Sequence, residues 1–348
     1  MRICYWNNIA SPYLVERLNT IQARGNLEVV GLFNKWTNSH RSWKVEPDDL
    51  AFAHRFAPDN PLAVRRWLID QDVDLLISIY SKRQQLVTLP LVIPRIPTIL
   101  RVLPTYDTWV ERTRSKELAK HALFRAVRGF KVPGPDGERL VRRYSRTGQI
   151  WRVPQTVPID LFTPGPAQAA PRDRPLQLGY VGRLIPQKGV QDMLDALADP
   201  NLPESVLRVA GDGPMGDALP ARVGSCTVER VGYLQRPEVP DFLRSLDVLL
   251  FPTHGDPFGL VVEESIATGL PVVSSSAAGD IASRVTERGV GVVYPWGDVA
   301  ALTAAIATVA DEGRRRSMAA RTLEVRSELG HDRYAAAVEQ MARDVLGG

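Results

Sequence analysis

Cysteine is scarce in this chain: among 348 residues only Cys4 and Cys226 occur. Two thiols cannot build a disulfide framework and offer no metal-ligand spacing, so they read as reduced structural residues. Long hydrophobic runs are also missing. The most apolar region, Leu86 to Leu100, is broken by three prolines and Arg95, which excludes a membrane span there. The start of the chain passes from a short apolar run into Asn7 and Asn8 without an apolar core of signal-peptide length, so the expected location is cytoplasmic. The first strand leads into Asn7-Asn8-Ile9-Ala10 with no Gly-x-Gly-x-x-Gly, which excludes a nicotinamide-dependent dehydrogenase. No internal repeat of fixed period is present.

What is there is the composition of a globular protein, 44% apolar and 24% charged, with a length that fits two domains. The net charge of +4 is unevenly placed: Glu111 to Arg152 holds twelve Lys/Arg against four Asp/Glu. Such a segment suits an anionic partner, such as a phosphorylated acceptor or a lipid surface, or simply a solvated helix face. It lacks the aromatic interleaving of a nucleic-acid surface. A peripheral contact at the inner membrane face is therefore admitted, and nucleic acid is not.

Strand and helix patterns alternate along both halves. The first half offers strands at Arg2–Trp6, Leu27–Phe33 and Val73–Tyr80, helices at Tyr13–Ala23 and Ala63–Asp70, and an amphipathic helix over Glu111–Phe130 before a short strand at Lys131–Pro133. Phe162 to Pro175 contains four prolines, one glycine and three alanines without hydrophobic period, and reads as a linker. Beyond it the alternation restarts at Leu176–Val181 and runs through strands near Val206, Val228, Val248, Pro271 and Val290, with helices between them, one of them over Gly216–Val223. Alternation of this kind implies mostly parallel sheets covered on both faces. The expected division is 1–163 and 164–331, with a terminal helix over 332–348 packing back on the first domain. Two doubly wound Rossmann-like domains would present the carboxyl ends of their strands to a cleft between them.

Two motifs carry chemistry. Gly182-Arg183-Leu184-Ile185-Pro186-Gln187-Lys188-Gly189 is a strand-loop-helix with two cations: Gly182 allows a ligand near the backbone, Arg183 offers a planar fork to phosphate oxygens, and Lys188 a point charge ahead of a helix whose amides add the dipole's positive end. Solvated loop cations are the plainer explanation. Asp256-Pro257-Phe258-Gly259-Leu260 runs into a helix carrying Glu263 and Glu264. These acids suit a helix cap and a first-turn dipole contact. They equally suit acceptance of two sugar hydroxyls, with the Phe258, Gly259 and Leu260 amides open to a phosphate. Cations for a diphosphate and carboxylates for hydroxyls on successive units of one domain describe a nucleotide-sugar site.

From about Phe162 to Val325 the chain resembles the retaining nucleotide-sugar glycosyltransferases of family 4, which have the GT-B fold. The resemblance rests on Gly182-Arg183-Leu184 with Lys188 and Gly189, on Ala210-Gly211-Asp212-Gly213-Pro214, on Gly297-Asp298, and on Asp256 through Glu264-Ser265-Ile266-Ala267. It implies that Arg183 and Lys188 hold the diphosphate and stabilise the leaving group, that Glu264 binds the ribose and Asp256 the donor sugar, and that Val231-Gly232-Tyr233-Leu234 cradles the base. The first carboxylate is Asp256 where the family has glutamate. Members place a histidine near the reacting carbon in the first domain. The matching stretch, Ile99 to Asp107, has none, leaving Tyr106 and Asp107 as the nearest candidates for a catalytic group. On the acceptor side the first strand-to-helix loop supplies Asn8 and Tyr13, and a later loop Trp43, whose ring could support a sugar face or simply pack.

The resemblance implies transfer of a hexosyl group from a nucleotide diphosphate sugar to a hydroxyl acceptor, with no cofactor and no bound metal. Rival readings are a GT-B epimerase or phosphorylase, and a catalytically silent nucleotide-sugar-binding protein.

Overall fold

The structure is a computed structural model and describes residues 1–36, 45–80, 83–103, 114–165 and 174–347. The chain divides into two compact units, Met1–Thr156 with His331–Gly348, and Val157–Gly330.

The first unit runs β1 (Arg2–Ile9), α1 (Pro12–Ala23), β2 (Glu28–Lys35), β3 (Ala53–Phe56), α2 (Pro61–Asp70), β4 (Leu75–Ser78), α3 (Arg83–Val92), β5 (Thr98–Arg101), α4 (Arg114–Ala126), β6 (Gly129–Val132), α5 (Pro135–Tyr144) and β7 (Gln149–Arg152). Among the described residues its seven strands form one parallel sheet in the order β3-β2-β1-β4-β5-β6-β7. Alternate residues enter different cores, as a pleated strand requires. Ile3, Tyr5, Ile77 and Ile99 join one cluster, and Cys4, Trp6, Leu76 and Leu100 the other. Both faces are covered, so even the polar residues of central strands have no solvent face to turn to.

The second unit runs β8 (Leu176–Val181), α6 (Val190–Leu197), β9 (Ser205–Ala210), β10 (Arg222–Val223), β11 (Cys226–Gly232), α7 (Val239–Arg244), β12 (Val248–Phe251), α8 (Leu260–Ala267), β13 (Val272–Ser275), β14 (Gly291–Tyr294), α9 (Val299–Ala310) and α10 (Glu312–Val325). Its order is β10-β11-β9-β8-β12-β13-β14, parallel except for the β10–β11 pair. The last helix, α11 (His331–Leu346), buries Tyr334, Val338 and Met341 in the first unit. Each sheet reverses its winding beside its first strand, between β1 and β4 and between β8 and β12. That reversal leaves a crevice at the carboxyl ends of the strands.

Three differences from the sequence reading have physical causes. The division falls at 156/157 rather than 163/164, because Val157 and Phe162 are fully buried in the second unit's core. Residues 216–223 turn and enter β10 instead of forming a helix, since Pro214, Gly216 and Pro220 interrupt what the spacing of Leu219 and Val223 suggested. Part of the basic segment is paired with its own acids: Arg139 contacts Asp136, Arg152 contacts Glu138, and the buried Lys120 contacts Glu117.

Candidate active site

The loop after β8 is tied down from two sides. The buried Tyr180 hydroxyl donates to the Arg183 carbonyl at 2.8 Å, and the Leu184 amide donates to the Asp212 carbonyl beyond β9 at 2.9 Å. Residues Pro186–Lys188 make one tight turn and Gly189 closes it with φ +66. A Cβ at Gly189 would stand 1.9 Å from the Pro252 carbonyl oxygen, so only glycine lets this turn lie against the end of β12. The His254 amide donates to the Gln187 carbonyl at 2.8 Å and sutures the two loops.

Lys188 therefore faces the loop after β12, where its ammonium meets Asp256 Oδ2 at 2.5 Å and lies 5.9 Å from the Phe251 ring centre. The other carboxylate oxygen accepts the Phe258 amide at 2.9 Å. Burial alone would raise the Asp256 carboxyl. The Lys188 charge and the Phe258 and Gly259 amides outweigh it and hold the group below the usual carboxylate range. An ammonium has three donors, so the contact with Asp256 leaves two for another acceptor. Gly259 precedes α8 with φ +73, where a Cβ would press to 2.5 Å from the Phe251 ring. The amides that open α8 emerge beside this pair at the switch between β8 and β12, an electropositive helix start suited to an anion.

Sequence reasoning passed over what holds that start in place. Arg284, 5% exposed, pairs with the buried Glu263 through Nε–Oε1 at 3.0 Å and Nη2–Oε2 at 3.2 Å. It also donates to the carbonyls of Phe258, Gly259 (3.1 Å) and Gly279 (3.0 Å), and its guanidinium stacks 3.6 Å from the Phe258 ring centre. One side chain thus fastens the loop after β12, the first turn of α8 and the loop after β13. The available signal was an arginine inside the apolar run Ile281 to Val285, since a buried guanidinium demands carboxylate and carbonyl partners.

The remaining expected residues fall as follows. Gly182 and the exposed Arg183 stand at the end of β8. The Gly211 amide donates to the Gly232 carbonyl at 2.7 Å and brings the β9 and β11 ends together, with Tyr233 39% exposed beside them. Leu260 opens α8, and Glu264, 3% exposed, lies on the same helix one position beyond Glu263. His254 is engaged away from Asp256, with Nε2 at 2.7 Å from Asp192 Oδ2. In the first unit, Asn8 is the penultimate residue of β1 and Tyr13 the second of α1, both half-buried. Tyr106, Asp107 and Trp43 lie outside the described residues. Among the described residues no group of three or more His, Cys, Asp or Glu side chains is placed to hold a metal ion, and no helix is long and apolar enough to cross a membrane.

Two Rossmann-like units, the second with cations and a helix start at its switch point, make the GT-B fold of glycosyltransferases. Solved structures share it. Sucrose-phosphate synthase from Thermosynechococcus elongatus superposes with TM-score 0.78 at 20% identity, covering 100% of this chain and 99% of that one. HepE of Anabaena in complex with UDP gives 0.78 at 15% identity, with 99% and 100% coverage.

The family described as "Glycosyl transferases group 1" matches residues 175–312, a stretch that falls within the second unit. The chain is similar to glycogen synthase of Mycobacterium tuberculosis, 38% identical over 44% of this chain and 39% of the relative. A D-inositol 3-phosphate glycosyltransferase of Xylanimonas cellulosilytica is 32% identical over 58% of this chain and 53% of the relative. The matches thus span between two-fifths and about half of these relatives' length.

Proposed function

We propose that the protein is a retaining glycosyltransferase of family 4 that moves a hexosyl group from a nucleotide diphosphate sugar to a hydroxyl acceptor. The observation that carries this reading is the Lys188–Asp256 pair beside the α8 start, at the switch between β8 and β12. In this reading the diphosphate lies against Arg183, Lys188 and the Gly259 and Leu260 amides, Asp256 and Glu264 accept hydroxyls of the donor sugar and the ribose, and Tyr233 borders the base. Charge that builds on the departing diphosphate meets donors already in place, which is electrostatic catalysis without reorganisation. Those cations do a metal ion's work, so turnover is expected to survive a chelator. The HepE structures in complex with UDP and with UDP and glucose support a uridine nucleotide as the first donor to try.

The first unit takes the acceptor, with Asn8 and Tyr13 at its carboxyl edge; Trp43 follows β2 in sequence, and Tyr106 and Asp107 follow β5. The expected setting is the cytoplasm, with the acceptor free or presented at the inner membrane face.

The test is a thermal-shift panel of nucleoside diphosphates followed by product analysis with a labelled donor sugar. A nucleotide at a hundredfold excess over its dissociation constant stabilises the fold by about 2.7 kcal/mol. Transfer of label to an acceptor with the anomeric configuration kept supports the reading, and epimerised or phosphorolysed donor sinks it. Absence of stabilisation by every nucleotide would remove the donor site altogether.

A further inference from the structure

The first unit contains a cluster of buried cations that no carboxylate among the described residues pairs with. Arg17 on α1, Arg101 at the end of β5 and Lys131 on β6 are 2%, 8% and 2% exposed. Arg101 and Lys131 stand side by side in register, on the sheet face that α1 and α11 cover. Between these side chains lies Tyr334, with the Lys131 ammonium 4.6 Å and the Arg17 guanidinium 5.3 Å from its ring centre.

The two arginines hydrogen-bond to neutral side chains, and Lys131 is hydrogen-bonded to the Tyr334 phenol. Arg17 donates to the Gln155 side chain, and Arg101 donates to Asn7 Oδ1 at 3.1 Å. The Nε atoms of both arginines are buried without a partner. Nearby acids on the same elements are engaged elsewhere: Glu16 with His331 at 3.4 Å, and Glu339 with Arg24 at 2.7 Å. None of the three cations forms an ion pair among the described residues. Buried charge without a counter-charge is among the costliest arrangements a core can hold, and it persists where something outside the chain compensates it.

We propose that these three side chains form a binding site for a phosphate monoester, and that the acceptor carries this phosphate; the second clause rests on the glycosyltransferase reading. A monoester brings close to two negative charges and three strong acceptor oxygens. Arginine forks suit them bidentately, and a carboxylate would bring only one charge. The small exposures exclude a broad polyanion, because an extended backbone or membrane surface cannot reach these groups. In this proposal the phosphate enters from the carboxyl edge of the sheet, where Asn7 and Asn8 are half-buried and Arg101 is the least covered of the three. The titration behaviour agrees with the geometry. Burial lowers the Lys131 ammonium to about 8, and the surrounding cations overcome burial to bring the Tyr334 phenol down to about 8.

The experiment is calorimetric and thermal titration of the full chain with inorganic phosphate and with glycerol phosphate, at constant ionic strength, with chloride and glycerol as controls. Wild type is expected to bind both phosphates saturably. Lys131→Met is expected to melt higher than wild type, because an uncompensated buried charge is gone, and to bind phosphate about 10- to 100-fold more weakly. Lys188→Ala keeps phosphate binding and loses nucleoside diphosphate binding, which separates this site from the donor site. Equal phosphate affinity in wild type and Lys131→Met overturns the proposal, as does loss of phosphate binding in Lys188→Ala. Tighter binding of acetate than of phosphate overturns the monoester assignment. If phosphate binds through Lys131 while no nucleotide binds anywhere, the anion site stands and the glycosyltransferase reading falls.

Discussion

Replacing Arg284 tests whether the α8 start is held in place or merely forms there. The side chain joins Glu263 bidentately and three carbonyls at once, all of them buried or nearly so. Breaking a buried pair by deleting one partner costs about 3–5 kcal/mol, most of it from the orphaned charge. Here Arg288 Nη1 already lies 3.8 Å from Glu263 Oε1 and softens the loss, so the lower end applies. At about 3 kcal/mol, Arg284→Met should lower the melting temperature of a unit of this length by roughly 6–12 °C.

The double variant Arg284→Met with Glu263→Leu removes both charges and should recover most of that, because a buried pair replaced by packed apolar groups is close to neutral. Recovery of stability is not recovery of the site. The Phe258, Gly259 and Gly279 carbonyls still lack their common donor, so nucleoside diphosphate affinity should stay at least tenfold down in a fluorescence or calorimetric titration. A melting shift under 2 °C in the single variant would refute the buried-pair reasoning. Wild-type nucleotide affinity in the double variant would refute the positioning role.

Other outcomes follow from the same geometry. Lys188→Ala should lower kcat about 10²-fold, as for one lost electrostatic donor, in a donor-consumption assay. Gly189→Ala places a Cβ 1.9 Å from the Pro252 carbonyl at φ +66, so it should lower both melting temperature and nucleotide affinity, where Gly25→Ala, with open space around it, should cost stability alone.

The third concerns pH. The groups facing the cluster are Tyr13, Glu16 and Arg17 from α1, Tyr5 from β1, Arg101 and Lys131 from β5 and β6, and Tyr334 from α11, with His331 paired to Glu16 beside them, and burial pushes Tyr5 far up. Above pH 8 Lys131 loses its positive charge and Tyr334 gains a negative one, so phosphate affinity should fall and binding should take up protons. Without phosphate the folded chain holds fewer protons than the unfolded chain between about 8 and the ordinary values of 10.5 and 10.0, so stability from these two groups rises with pH across that window.

The second unit was legible because its chemistry sits in turn residues. Gly182, Gly189 and Gly259 mark strand ends and helix starts, and the cations and acids beside them inherit a position from that punctuation alone. The first unit has weaker punctuation. β3, α3, β5, α5 and β7 were not singled out: three are four-residue strands, α3 contains Pro90, and α5 carries enough charge to read as surface. Glu263 and Glu264 illustrate the limit at a single residue. Both suit a ligand by type and spacing. Only the fold assigns the first of them to Arg284, and Arg284 is far along the chain.

The buried cations were readable by an inference that periodicity does not supply. Lys131 lies between Phe130 and Val132, which share one face of β6, so alternation sends Lys131 to the other. On a sheet with a solvated side that means water, and a solvated lysine needs no explanation. The first half's strands are parallel with helices on both faces, and such a sheet has no solvated side. The same holds for Arg101 one strand away, and for Arg17, which breaks the apolar stripe of Leu14, Leu18 and Ile21 on α1. Once a doubly wound sheet is inferred, each charged residue inside its central strands must be either paired or waiting for a ligand. Three cations of one sign meeting at one carboxyl edge leave little room for the first alternative.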